Sequence, residues 1–221
     1  MPSRRPEDLA EQLVADQARA LALVNVSRET FSRLKALEGL ILKWLKSHNL
    51  IASSTIPQLW TRHIADSLQL LRLGREAKAW VDLGSGGGFP GLVLAAALAD
   101  QRAARVDVIE SNEKKSAFLR EAVRVLALPA VVHNARIEYV TQSWDRPVEI
   151  VTARALAPLP QLLQYAQPLL EKGAQALFLK GQDVDTELTE AAKYWNVDAD
   201  ILPSLTHPDG RILRIRTAVR R

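Results

Sequence analysis

Cysteine is absent from all 221 residues, which removes disulfide bonds, thiolate nucleophiles and cysteine-ligated zinc together. A reducing compartment is therefore unopposed. Long apolar runs are missing as well. None approaches the roughly 20 residues that span a bilayer, and the opening "MPSRRPEDLA" lacks the apolar centre of a secretory signal. The expectation is a cytoplasmic chain with no membrane partner. Histidine is scarce, and the four at 48, 63, 133 and 207 show no ligand spacing, so no metal is expected. There is no internal repeat and no low-complexity stretch long enough to be a linker.

What charge there is lies unevenly. The formal net charge is +4; residues 1–80 hold 12 Lys and Arg against 8 Asp and Glu, whereas residues 81–221 hold 17 of each sign. The excess suits either a solvated helical surface or a face for phosphate backbones. The tail "GRILRIRTAVRR" carries five arginines that partly alternate with apolar residues. It reads first as a half-buried strand with a basic outer face, and second as an RNA contact.

Three helical stretches occupy the first part of the chain: residues 7–24, with Leu9, Leu13, Leu21 and Val24 at helical spacing; 28–47, with Ser27 as N-cap; and 57–72, opened by Pro57. In the third, Trp60, Ile64, Leu68 and Leu71 form an apolar stripe. Arg62, His63 and Asp66 gather opposite, either as a surface helix with an Arg62–Asp66 pair at i, i+4 or as a cluster facing a ligand. Later, the short runs "AWVDL", "ARVDVIE", "AVVHNA", "VEIVTA", "AQALFLK" and "RILRIR" alternate with helical segments. This pattern predicts an α/β fold, a parallel sheet with helices on both faces (76–221) behind an N-terminal helical cap (1–75).

The stretch "VDLGSGGGFPG" (81–91) runs a strand into five glycines. Gly86, Gly88 and Gly91 match the G-x-G-x-x-G of dinucleotide folds; Asp82, Gly84, Gly86 and Gly88 match the D-x-G-x-G-x-G seen where S-adenosylmethionine binds. Bare backbone allows a sharp turn and close approach to a ligand in either case, and Glu110, 19 residues beyond Gly91, suits ribose hydroxyls in both. Asp82 discriminates. A carboxylate near a sulfonium and an amino group is attractive, whereas a pyrophosphate would be repelled, so electrostatic sign favours S-adenosylmethionine.

The remaining motifs narrow the methyl acceptor. An Asn/Asp-Pro-Pro-aromatic motif for exocyclic amines is replaced by "TARALAPL", no cysteine is present to attack a pyrimidine, and no Lys-Asp-Lys-Glu set is complete, Lys180 being one member only. An atom that is already nucleophilic remains, such as guanine N7, which needs alignment rather than a general base. Activity is then expected to vary weakly between about pH 6.5 and 8.5, apart from a His63 contribution near the lower edge.

"RHIADSL", "VDLGSGGGFPGL", "ESNEKKSAFLREAV", "NARIE", "TARALAPL" and "LFLKG", in this order from Trp60 to Gly181, resemble the ribosomal RNA small subunit methyltransferase G family, also called glucose-inhibited division protein B. The resemblance implies a Rossmann-like class I methyltransferase sheet of seven strands behind a helical cap. It also implies methyl transfer from S-adenosylmethionine to N7 of a guanine in the 530 loop of bacterial 16S rRNA. Carried onto this chain, it implies cofactor contacts for Gly84 and Phe89, the ribose for Glu110, the adenine side for Ile137 and Glu138, and the cofactor–substrate junction for Arg154. Lys180, Arg62 and His63 are candidates for RNA or guanine contact. The implied partner is 16S rRNA, a 30S subunit or an assembly intermediate, met by a monomer. A nicotinamide-dependent oxidoreductase and a non-catalytic rRNA-binding assembly factor are the alternatives that share these features.

The argument from Asp82 has a direct thermal test. S-adenosylmethionine or its demethylated product is expected to raise the melting temperature of the purified chain by mass action, and NAD is not; a rise with NAD alone reverses the assignment.

Overall fold

The computed structural model describes residues 6–221, so the first five residues of the expected cap lie outside the described part. Helices α1 (Pro6–Leu23) and α2 (Arg28–Trp44) form where periodicity places them. The Ser27 hydroxyl accepts from the Thr30 N–H at 3.0 Å and closes the first turn of α2. Leu34, Leu37 and Ile41 of α2 are wholly buried at helical spacing.

The third stretch is not the regular helix its pattern predicts. A 3-10 turn (Ser53–Gln58) contains Pro57 in its interior, a π-helical turn follows (Trp60–Ala65), then a single α-turn, α3 (Asp66–Leu68), and a second 3-10 turn (Gln69–Arg72). The cause lies in α1. Asp16, without solvent exposure, accepts the N–H groups of Trp60 and Thr61 at 2.8 and 3.0 Å and the Thr61 hydroxyl at 2.5 Å. A carboxylate there satisfies donors that the start of any helix leaves orphaned. Trp60, His63, Ile64, Ala65, Ser67, Leu68, Gln69 and Leu70 are all buried, so from Trp60 onward little but Arg62 and Arg72 faces solvent. The amphipathic reading fails because this segment is packed between layers, where a single stripe no longer describes it.

The sheet has seven strands: β1 (Ala79–Leu83), β2 (Arg105–Ile109), β3 (Ala130–His133), β4 (Ile150–Arg154), β5 (Gln175–Lys180), β6 (Trp195–Pro203) and β7 (Arg211–Arg220). Their order is β3-β2-β1-β4-β5-β7-β6. Strands β1 to β5 are parallel, and β7 runs antiparallel to β5 and to β6. The wholly parallel expectation is thus corrected at one edge, and β6 is the strand that none of the six β-rich runs marked, although the resemblance implies seven. Its solvent face carries Asp198 and Asp200, which look like loop residues until Arg214 and Arg216 of β7 pair with them. Those arginines occupy the basic outer face expected of the tail, and two of the five are engaged in ion pairs rather than free for RNA.

Helices α4 (Gly91–Leu98), α5 (Glu113–Val125), α6 (Ile137–Gln142), α7 (Leu159–Leu170) and α8 (Val184–Ala191) fill the crossovers. Nearly every residue of α4 is buried, because the sheet lies beneath it and the helical cap above. Leu37 and Ile41 of α2, Trp60 and Ile64 share one apolar cluster with α4 and α5, while α7 and α8 build a second on the opposite face. Arg33 forks onto Asp100 at 2.7 and 2.6 Å, and the Trp44 indole donates to Glu121 at 3.1 Å, fastening the cap at two further points. With β2 on one side of β1 and β4 on the other, the crossovers diverge here and leave a crevice beyond the strands' carboxyl ends.

Replacing Asp16 by Ala leaves two backbone donors without their acceptor. Equilibrium urea unfolding is expected to show a loss of about 2–3 kcal/mol, and Asp16→Asn a smaller one; a loss below about 0.5 kcal/mol would dissociate the cap segment's shape from this carboxylate.

Candidate functional site

Asp82, the penultimate residue of β1, is wholly buried beneath the glycine loop and does not line the crevice. Its Oδ2 accepts the Gly91 N–H at 3.0 Å at the start of α4, and its Oδ1 accepts the Thr152 hydroxyl at 2.9 Å on β4. Burial pushes this carboxyl up to about 6 despite those donors. Gly91 must be glycine here, because a Cβ would stand 2.5 Å from Val108 and 2.7 Å from the Asp82 carboxylate.

Above this clamp is a cavity of about 420 Å³ walled by Gly84, Gly86, Phe89, Glu110, Ile137 and Glu138. Gly88 is not part of its lining and packs toward Leu92. Gly86 has φ +55°, and a Cβ there would meet only the Gly84 carbonyl, at 3.8 Å, so the space beside it stays open for a ligand. The Glu110 carboxylate accepts the Gly86 N–H at 2.9 Å and the Asn112 N–H at 2.7 Å, one on each oxygen. Each oxygen keeps a lone pair, so the group can still take both hydroxyls of a diol. Glu138 pairs with Arg136 at 3.5 Å, and Ile137 offers apolar surface beside it. Leu50 and Ile51 bring the cap into the same wall.

Arg154, the last residue of β4, lines this cavity and a second one of about 620 Å³. Its guanidinium donates to His63 Nδ1 at 2.9 Å and lies 3.7 Å from Asp66 Oδ2. Because arginine only donates, His63 Nδ1 is an acceptor, and the ring proton sits on Nε2, which meets the Thr55 hydroxyl at 2.9 Å. Burial, with the Arg154 and Arg62 cations beside it, holds His63 down to about 3. The ring packs on Phe89 at 4.8 Å between centroids, and Arg154 lies over the same ring at 6.0 Å. The expected His63 contribution near pH 6.5 is therefore corrected: this histidine is neutral throughout the neutral range. Of the two alternatives for the polar cluster, the Arg62–Asp66 surface pair is not the one formed, since Asp66 turns inward to Arg154, Gln69 and Thr206. Burial pushes the Asp66 carboxyl up, against the pull of Arg154, and lowers the Arg154 guanidinium from its ordinary value. Ala155 follows with φ 48°, a left-handed conformation rare outside glycine, and lines both cavities.

The second cavity holds Arg62, exposed at its rim, and Lys180, whose side chain is only 9% exposed. Lys180 Nζ is 2.5 Å from Glu187 Oε2 and 3.4 Å from the Ala157 carbonyl. Lys180 is thus paired within the wall rather than free at the surface. Sequence reasoning missed Thr152, Thr55, Thr206 and Glu187. The β-run around Thr152 carried a signal, because a hydroxyl inside an apolar strand next to a buried acid needs a partner; the other three carried none.

A family profile described as rRNA small subunit methyltransferase G matches residues 30–212. The chain is 62% identical over 198 residues to ribosomal RNA small subunit methyltransferase G of Nitrobacter winogradskyi, covering 89% of this chain and 71% of that one. It is 55% identical to the protein of the same name from Bradyrhizobium sp. ORS 278, covering 95% of each. Among solved structures it is similar in fold to an O-methyltransferase from Bacillus cereus in complex with SAH, with a TM-score of 0.61 at 16% identity over 95% of this chain and 100% of that chain.

The position of His63 sets a sign. Its folded value is depressed below the ordinary 6.5, so the unfolded chain binds the extra proton as pH falls through 6.5. The stability it contributes is complete above 6.5 and lost toward 3, at a slope approaching about 1.4 kcal/mol per pH unit. Asp82 acts oppositely: its folded value is raised, so its contribution is complete below 3.8 and lost as pH rises through about 6. Urea titrations between pH 4 and 6.5 are expected to show a shallower acid loss in His63→Gln than in the parent chain; equal slopes would mean that the ring is not buried neutral.

Proposed function

The chain belongs to the rRNA small subunit methyltransferase G family, and from that premise we propose that it methylates N7 of one guanine in the 530 loop of bacterial 16S rRNA, using S-adenosylmethionine. Its fold is that of the class I S-adenosylmethionine-dependent methyltransferases, and it is an rRNA methyltransferase. The first cavity suits the cofactor by its chemistry. Gly86 leaves backbone room, Glu110 offers two acceptors for a ribose, and Ile137 with Glu138 provides an apolar surface and an acceptor for adenine.

The observation that carries the N7 reading is the boundary between the cavities. Arg154 and Ala155 belong to both walls, and the imidazole and carboxylates beside Arg154, those of His63, Asp82 and Asp66, are engaged by protein donors or by its cation rather than held as a free base. The His63 Nδ1 lone pair is taken by Arg154, Asp82 is enclosed by Gly91 and Thr152, and Asp66 accepts from Gln69 and Thr206 on Oδ1 while its Oδ2 lies 3.7 Å from the Arg154 cation. A ribose hydroxyl or exocyclic amine needs such a base; the N7 lone pair does not. When bound, S-adenosylmethionine would supply a methyl on a sulfonium, whose C–S pair would return to sulfur as N7 takes the methyl, the charge passing to the purine without a proton transfer. The chain's part is alignment. His63 and Asp66 fix the Arg154 guanidinium, and its Nη1, buried without a hydrogen-bond partner among the described residues, is a donor waiting at the boundary.

The charge excess of residues 1–80 and the exposed Arg62 support an RNA partner, met by a cytoplasmic monomer as 16S rRNA within a 30S subunit or an assembly intermediate. Among the described residues no helix is long and apolar enough to cross a membrane.

Two outcomes test this reading. Arg154→Ala is expected to lower turnover by about 100-fold while rRNA affinity changes little, as single-turnover and filter-binding measurements would report. The product is expected to be a cationic purine with a labile glycosidic bond, so mild reduction followed by aniline cleaves the rRNA at one guanine. Label on a ribose, an exocyclic amine or a pyrimidine overturns the N7 assignment.

A further inference from the structure

Lys180 and Glu187 form an ion pair in the wall of the second cavity, 9% and 24% exposed. Withdrawing two charges from water is costly, and such a pair persists where further hydrogen bonds hold it. Here the Leu159 N–H donates to Glu187 Oε2 at 2.6 Å, the same oxygen that Lys180 approaches, and Lys180 donates on to the Ala157 carbonyl. That arrangement leaves a remainder. An ammonium has three hydrogens, and Glu187 Oε1 has no hydrogen bond among the described residues. The cavity therefore presents a donor and an acceptor side by side, starting one strand over from Arg154, where β4 Arg154 pairs with β5 Leu179 and Lys180 follows.

Resting on the guanine-N7 reading above, we propose that Lys180 and Glu187 read the base: Lys180 donates to guanine O6, and Glu187 Oε1 accepts from N1–H and the 2-amino group. Along a purine edge the order from N7 is O6, N1–H, N2–H for guanine, which is acceptor, donor, donor. The wall offers donor then acceptor and matches it. Adenine presents an amino group and then a lone pair, which sets donor against donor and acceptor against acceptor, with the buried partners left unpaired. Glu187 also acts differentially. As N7 gains the methyl, positive charge spreads over the purine, its N1–H and N2–H become stronger donors, and their bonds to a fixed carboxylate strengthen in the transition state. Glu187 is thus a specificity-determining residue for the methyl transfer, contributed by α8, which encloses the cavity from the C-terminal part of the chain.

The test replaces the methylated guanine of 16S rRNA, by ligation, with 2-aminopurine, which keeps N7 and the 2-amino group but lacks O6 and N1–H, or with inosine, which lacks only the 2-amino group. The intact chain is expected to lose about 100-fold in kcat/KM on 2-aminopurine and about 10-fold on inosine. Glu187→Gln is expected to lose about 30-fold on guanine and less than about threefold on 2-aminopurine, because the amide can donate to the exposed N1, so discrimination collapses. Melting temperature and S-adenosylhomocysteine affinity of the variant verify that its fold persists; if it does not fold, the analogue series on the intact chain decides alone. Equal losses on both bases in Glu187→Gln, or 2-aminopurine used within about threefold of guanine by the intact chain, overturn the proposal. Failure of the N7 reading is seen separately, as a methyl group mapped to another atom of the unmodified rRNA.

Discussion

The arrangement of this molecule turns on one carboxylate that water does not reach. Asp82 joins three elements through two hydrogen bonds, to Gly91 at the head of α4 and to Thr152 on β4, from its own place near the end of β1. The bond to Gly91 anchors the far end of the glycine loop and sets a negative group at a helix N-terminus, where the peptide dipoles favour it. The bond to Thr152 anchors β4 two residues before Arg154. With burial raising its value to about 6, the group is charged at neutral pH at a real energetic cost, and the donors around it are what make that tolerable.

The cap is bound into the site by the same logic. Helix α4 is apolar on every side and needs cover on its outer face, which α2 and the segment 53–72 supply. The segment cannot be a plain α-helix there. Its π turn begins on Asp16 of α1 and delivers His63 against Phe89 and Arg154, so a residue in the wall of the first cavity also orients the guanidinium at the boundary. Irregular backbone flanks this junction, with the π turn on one side and Ala155 at φ 48° on the other. The packing of two apolar clusters on either face of the sheet is what holds both in place.

The C-terminal hairpin reaches this junction as well. Asp66 accepts from the Thr206 hydroxyl at 2.7 Å, and Gln69 accepts the Leu205 N–H at 2.8 Å, so the β6–β7 connection is fastened to the cap segment across the open end of the second cavity. One carboxylate, Asp66, thereby couples that connection to Arg154. The antiparallel edge of the sheet is thus a wall of the second cavity rather than a mere termination, and α8 adds Glu187 to it from the same end of the chain.

Much of this was legible in the residues alone. Six of the seven strands, the capped helix after Ser27, the glycine turn and Glu110 at the end of β2 all rest on short-range rules of periodicity, capping and turn chemistry, which a linear pattern records. The six motifs that resemble a known family carried the site as far as naming Arg154, Phe89 and Lys180. What the sequence left undecided was burial and pairing. His63 and Arg154 are 91 residues apart, and Asp66 and Thr206 are 140 apart, and nothing local to either member states that they meet. Strand β6 was hidden for the same reason, because its aspartates make a strand only when the arginines of β7 lie opposite. A side chain's charge state and role follow from the dielectric and the partners around it, and these are set by which layers close over it, so a neutral histidine, an inward-turned Asp66 and a cavity reading acceptor beside donor belong to the tertiary structure alone.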